Sequence, residues 1–232
     1  MPELSLELKL AELRARIEAA ARRVGRNPAD VGLVAVTKGV AAPLIRRAHA
    51  AKVRYLGENR VQEALAKRSE LSDLDLDWHL IGHLQTNKVG DAVGRFALFH
   101  GVDSLRLLAA IGRQAERASL RQRILLQVNV SADPAKFGFC PEHVARAVEI
   151  AQATEGVVLE GFMTIGPRVS DPEDARKTFA GLKNLRDQVA PGLGTLSMGM
   201  THDFEVAVEE GATLVRVGTG IFGRRDQGQE AD

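Results

Sequence analysis

Gly32-Leu-Val-Ala-Val-Thr-Lys-Gly-Val-Ala-Ala42 is the stretch that decides the fold. Its first six residues are a short apolar run rich in β-branched side chains, which reads as a buried strand. The next five, Lys38-Gly-Val-Ala-Ala42, are not the glycine-rich phosphate loop that often succeeds the first strand of a doubly wound open sheet. Seven further runs of the same kind lie at 53–56, 78–81, 97–102, 124–130, 159–165, 195–198 and 214–217. An open sheet usually needs fewer strands. Helical patterns separate the runs. Pro43 opens one with Leu44, Ile45 and Ala48, and Val61, Ala64 and Leu65 mark the next. A short, weak one carries Val89 and Val93. Ser104 caps one containing Leu105, Leu108 and Ile111, and Pro141 sits in the first turn of one with Val144 and Val148. Asp171-Pro172 caps another leading into Ala175, Phe179 and Leu182. Phe204, Ala207 and Val208 form the last, closed by Gly211.

Eight strands alternating with helices imply parallel βαβ units closed into a ring. The expected class is α/β: a single (β/α)8 TIM-type barrel over residues 1–232, with an additional N-terminal helix. That helix, within 1–26, places Leu6, Leu10, Leu13, Ile17, Ala20 and Val24 at helical spacing before Gly25 and Pro28 end it. It is expected to cover what an eighth long helix would cover. Residues 227–232 are expected to form a disordered tail.

The bulk numbers bound the partners. With 45% hydrophobic and 26% charged residues, the chain reads as soluble and globular. A net charge of +1 gives no electrostatic argument for nucleic acid or a membrane surface. The one cysteine, Cys140, allows no intrachain disulfide and suits a reducing compartment. The start, Met1-Pro-Glu-Leu4, lacks a signal-peptide pattern, and no apolar run approaches the roughly 20 residues that span a bilayer. The expected location is the cytoplasm, and the expected state is a monomer.

In barrels of this class the site lies at the C-terminal strand ends. Those ends carry Thr37-Lys38, Glu58-Asn59, His79 with Gly82-His83, Asp103-Ser104, Asn129, Thr164, Ser197 and residues 216–220. Lys38 directly follows a buried strand. A lysine there loses hydration, which frees its amine as a nucleophile for Schiff-base chemistry. The competing reading is a lysine that snorkels to solvent at the rim. Lys88 and Lys136 follow their strands less closely. Lys9, Lys52, Lys67, Lys177 and Lys183 fall in helical or adjoining stretches and are expected to be solvated. Val215-Arg-Val-Gly-Thr-Gly220 ends the eighth strand, where glycines let backbone N–H groups approach a phosphate. Ser197 would add a hydroxyl from the seventh. A glycine-rich turn with no ligand is the bland alternative. A reactive lysine facing a phosphate site fits pyridoxal phosphate. It also fits a phosphorylated sugar or keto acid in a Schiff-base aldolase, and spacing alone does not choose.

Ala35-Val-Thr-Lys38, Gly57-Glu-Asn-Arg-Val-Gln-Glu63, Trp78-His-Leu-Ile-Gly-His-Leu-Gln-Thr-Asn-Lys88, Leu196-Ser-Met-Gly-Met200 and Val215-Arg-Val-Gly-Thr-Gly-Ile-Phe-Gly223 together resemble the pyridoxal phosphate homeostasis proteins. The likeness spreads over 31–226, and several motifs in one order are more specific than any single one. The resemblance implies a barrel similar to the N-terminal domain of alanine racemase. By that likeness Lys38 forms a covalent aldimine with pyridoxal 5'-phosphate, and Ser197, Gly218 and Thr219 hold its phosphate. Arg216 faces the pyridine nitrogen and Asn59 lies beside the ring. It further implies a carrier that buffers the cofactor and supplies apo forms of pyridoxal phosphate enzymes, with no catalytic residue and no metal. Thr201 stands where the family more often has serine, and keeps the hydroxyl. His202 beside it reads as a surface substitution. His79 reads as a packed or hydrogen-bonded histidine.

An arginine at the ring nitrogen only donates hydrogen bonds, so it disfavours ring protonation and weakens the electron sink. Racemization also wants a second base. The sole tyrosine, Tyr55, lies within a strand, where a structural role is expected. A weak amino-acid racemase is therefore the runner-up reading, and a Schiff-base aldolase the third.

Overall fold

The computed structural model describes residues 5–131, 133 and 136–223. Among them, eight parallel strands close into one barrel in chain order. They are β1 (Gly32–Val36), β2 (Tyr55–Glu58), β3 (Asp77–Leu80), β4 (Leu98–Val102), β5 (Gln122–Gln127), β6 (Val157–Met163), β7 (Thr195–Ser197) and β8 (Leu214–Val217). β8 closes on β1 with Leu214 opposite Gly32 and Val217 opposite Ala35. The helices are α1 (Leu6–Arg23), α2 (Ala42–Ala50), α3 (Val61–Glu70), α4 (Val89–Ala92), α5 (Leu105–Arg117), α6 (Pro141–Ala153), α7 (Arg176–Val189), α8 (Phe204–Glu209) and α9 (Thr219–Phe222). No helix among the described residues is long and apolar enough to cross a membrane. The expected tail, 227–232, lies outside the described residues.

Most differences from the sequence reading are local. β2 runs to Glu58, which makes that carboxylate part of the barrel wall. β5 ends at Gln127 because the chain leaves it to bridge Val128 to Phe139. Asp171 caps the 3-10 turn Pro172–Ala175, its Oδ1 accepting from Glu173 N at 3.0 Å, and α7 starts after that turn. Ser104 does cap α5, accepting from Leu107 N at 3.3 Å. Val24 is not on the buried stripe of α1. The helix ends at Arg23, Gly25 turns the chain at φ +70°, and Val24 is exposed while Ala21 is buried. α1 lies against α8, α9 and α2, where a long eighth helix would pack.

Strand pairing sorts the side chains into two sets. Paired residues in a parallel sheet face the same side, and side chains alternate along each strand. Arg216 pairs with Val34, Val34 with Tyr55, Gly57 with His79, and His79 with Leu98. These share the barrel lumen, and Val36, Lys38, Asn59 and His100 follow by the two-residue repeat. Within the lumen Leu98, Leu125 and Met163 form a small apolar cluster against which Leu214 packs. Thr37 and Glu58 have the opposite parity and face the helical shell.

Candidate functional site

The six expected cofactor residues come from four adjacent strands: β7, β8, β1 and β2. Lys38 is half-buried on the turn after β1, and Asn59 is exposed after β2. Ser197 and Arg216 are buried in the lumen. Gly218 is the residue before α9, and Thr219 is its exposed first residue. β8 and β1 meet closely, for a Cβ on Gly218 would lie 3.3 Å from Val36 Cβ. The hydroxyl beside Thr219 is that of Thr201, Oγ1 to Oγ1 at 3.2 Å. The Ser197 hydroxyl is engaged deeper in the barrel. His202 is exposed, its Nε2 lying 3.0 Å from Ser170 O.

A buried chain of polar groups supports Arg216. Its guanidinium donates to Ser197 Oγ at 2.6 Å and to Thr164 O at 2.9 Å. Ser197 Oγ lies 2.8 Å from His100 Nδ1, and His100 Nε2 lies 3.0 Å from His79 Nδ1. Tyr55 stacks on His79, ring centroids 5.2 Å apart. Arginine has only donors, so Ser197 Oγ accepts from it, and the tautomers of His100 and His79 set the direction of the two remaining bonds. Burial keeps both rings neutral: it lowers His79 to about 4 and His100 well below its ordinary value. Burial also pulls Arg216 down to about 10, which leaves it charged at neutral pH.

Behind the Lys38 turn lies a second buried cluster. Lys67, expected to be solvated, is buried instead. Its Nζ donates to Thr37 O at 2.5 Å, Glu58 Oε1 at 2.7 Å and Glu63 Oε1 at 2.6 Å. The reason is the outward parity of Glu58, which puts a carboxylate between the barrel wall and α3. Thr37 Oγ1 donates to the same Glu58 oxygen at 2.6 Å, and Gly39 N donates to Glu63 at 2.5 Å. The backbone on each side of Lys38 is thus held to one ammonium and its carboxylates. Enclosure pushes the Glu58 carboxyl above its usual range despite Lys67 and Thr37. Burial also pushes Glu63 up, but the bonds from Lys67 and Gly39 outweigh it and hold that carboxyl low. Removing one partner of a buried pair strands the other. Lys67→Met should therefore cost about 3 kcal/mol in urea unfolding. A loss within the scatter of surface substitutions would show that the cluster does not stabilise the fold.

The chain matches the family model "Alanine racemase, N-terminal domain" over residues 8–226. The pyridoxal phosphate homeostasis protein of Pseudomonas aeruginosa is 42% identical over 222 residues, which is 96% of each chain. The chain belongs to this family. The Aquifex aeolicus member is also 42% identical, over 94% of this chain and 97% of its own. A member of known structure, PipY of Synechococcus elongatus solved with PLP bound, superimposes with a TM-score of 0.82 at 38% identity. The match covers 94% of this chain and all of PipY. Alanine racemase of Clostridium difficile superimposes with a TM-score of 0.70 at 15% identity, over 95% of this chain and 56% of that one. That second likeness is one of fold.

Within the family barrel, sequence reasoning passed over His100 and misjudged Lys67. Both sit in otherwise apolar or helical contexts. The available signals were spacings: His100 stands two residues after Leu98 on its strand, and Lys67 one helical turn after Glu63.

Proposed function

We propose that this protein holds pyridoxal phosphate as a Schiff base on Lys38 and releases it to apo forms of pyridoxal phosphate enzymes in the cytoplasm, with no turnover of its own. One observation carries the reading. A half-buried lysine and a pair of hydroxyls stand at the ends of neighbouring strands, with a buried guanidinium deeper in the same lumen. The donor set suits the cofactor group by group. Lys38 supplies the amine for the aldehyde. Thr201 and Thr219, with the unpaired first-turn N–H groups of α9, supply neutral donors for a phosphate. Gly220 leaves room for Thr201, since a Cβ there would lie 3.1 Å from Thr201 Cγ2. Asn59, of lumen parity just after β2, stands beside the ring. Arg216 faces the ring nitrogen, and Ser197 serves chiefly to hold Arg216. When bound, the cofactor supplies an electrophilic carbon and an electron sink.

The Arg216 chain argues for carrying over catalysis. Arg216 can only donate, so the ring nitrogen meets a donor and stays unprotonated, which weakens the sink. Tyr55 is engaged with His79 inside the barrel. Borohydride reduction of the loaded protein, followed by peptide mass spectrometry, should find the pyridoxyl group on the peptide containing Lys38. A label on another lysine, or none, would overturn the assignment.

A further inference from the structure

The proposed cofactor residues occupy the β7, β8, β1 and β2 side of the mouth. The β3 to β5 side carries a different construction. His83 Nδ1 lies 2.7 Å from Asp103 Oδ2. The Asp103 side chain is 6% exposed and that of His83 40% exposed. Phe137 stacks on the imidazole, with centroids 4.4 Å apart and planes at 18°. Loops after β3, β4 and β5 therefore converge on one ring. An ionised carboxylate only accepts, so Nδ1 carries the proton and Nε2 presents a lone pair. A packed surface histidine needs no buried carboxylate behind it.

Its place is set by backbone contact. A Cβ on Gly82 would lie 2.5 Å from Asn59 O, and one on Gly101 would lie 2.8 Å from Gly82 O. The loops after β2, β3 and β4 thus stack directly, and His83 follows the residue that touches Asn59. Asn59, Arg60, Glu63, His83 and Lys88 line one groove of about 530 Å3. The charged groups around the imidazole are Asp103 behind it and Arg60, Lys88 and Glu63 along the groove.

We propose that His83, oriented by Asp103, is the general base for the incoming primary amine that takes the cofactor from Lys38. Arg60 and Lys88 suit an amine that also bears a carboxylate, such as an amino acid. This rests on the reading of Lys38 as the tether. The arriving ammonium gives its proton to His83 Nε2, and its freed lone pair bonds the aldehyde carbon. The first electron pair of the carbon–nitrogen double bond to Lys38 moves onto that nitrogen as the new bond forms, and a second proton passes to it from the incoming nitrogen. The remaining bond then breaks with its pair on the Lys38 nitrogen. His83 returns the first proton there, so that Lys38, which already carried the proton of its Schiff base, leaves as an ammonium. No oxidant or reductant is needed.

The test is stopped-flow absorbance of the loaded protein mixed with glycine across a pH series, read as first-order rates so that unequal loading cancels. The wild-type rate should rise with pH, because only an unprotonated imidazole can take the proton. His83→Gln should slow it on the order of 100-fold and flatten that rise. Asp103→Asn should slow it as well, because the ring loses the carboxylate that orients it. An unchanged rate and profile in His83→Gln would overturn the base while leaving the Lys38 assignment intact. A second measurement needs neither cofactor nor variant. Nitrogen-15 NMR of the unloaded wild-type protein should show His83 protonated on Nδ1 alone, and a mixture of tautomers would overturn the dyad. A protein that never acquires the visible absorbance overturns the tether instead.

Discussion

Lys38→Ala protein should purify colourless and lose added pyridoxal phosphate on desalting, whereas the wild type keeps both colour and cofactor. The covalent bond needs the ε-amine, and no other lysine shares the position of Lys38. It has lumen parity, one residue beyond the clamped Thr37 and level with the Gly218 turn. The substitution leaves a set of neutral donors and one guanidinium. These make a non-covalent site, and retention should fall by at least about 100-fold, the equivalent of roughly 3 kcal/mol. The comparison is visible absorbance and cofactor per chain after gel filtration. Wild-type colour and retention in the variant would remove Lys38 from the site.

The second large effect is on stability in acid. Burial lowers His79 to about 4 from an ordinary value of 6.5, and moves His100 the same way. Between those values the unfolded chain binds more protons than the folded one, so stability rises with pH. The contribution is fully present above about pH 6.5 and is lost as pH falls through about 4. For His79 alone the shift corresponds to about 3 kcal/mol, an order-of-magnitude figure at 1.36 kcal/mol per unit. Glu58 acts with the opposite sign. Its raised value adds stability that is present in acid and lost as pH rises through the folded value. Comparing wild type with a His79→Phe/His100→Gln double variant separates the two. Urea midpoints of the wild type should drop between about pH 6.5 and pH 4, and the double variant should show a shallower slope. Parallel slopes would mean that the paired imidazoles do not control acid unfolding.

The barrel was legible because strands buried on both faces announce themselves as apolar runs, and proline or serine marked most helix starts. Strand ends such as the Lys38 turn were equally readable, since polar residues directly after such runs have no packing reason to be there. Distance in sequence hid the rest. The Ser197–His100 contact spans 97 residues and crosses the lumen from β7 to β4. His100 lies in an apolar run and reads as a tolerated substitution until β7 faces it. Lys67 looked solvated because helix spacing shows its own neighbours, Glu63 among them, but not a wall residue such as Glu58. Thr201 was visible only as a variant of a motif until Thr219 stood beside it.

Adjacent residues at the strand ends serve separate structures. Thr37 and Glu58 belong to the shell, while Lys38 and Asn59 belong to the lumen. Mutational scanning of this chain should therefore separate along the sequence with a period of two. Changes at positions 37 and 58 should move the unfolding midpoint, and changes at 38 and 59 should move ligand occupancy. Cofactor affinity could then be retuned at the mouth, one residue away from the groups that keep the barrel closed, with little cost to its stability.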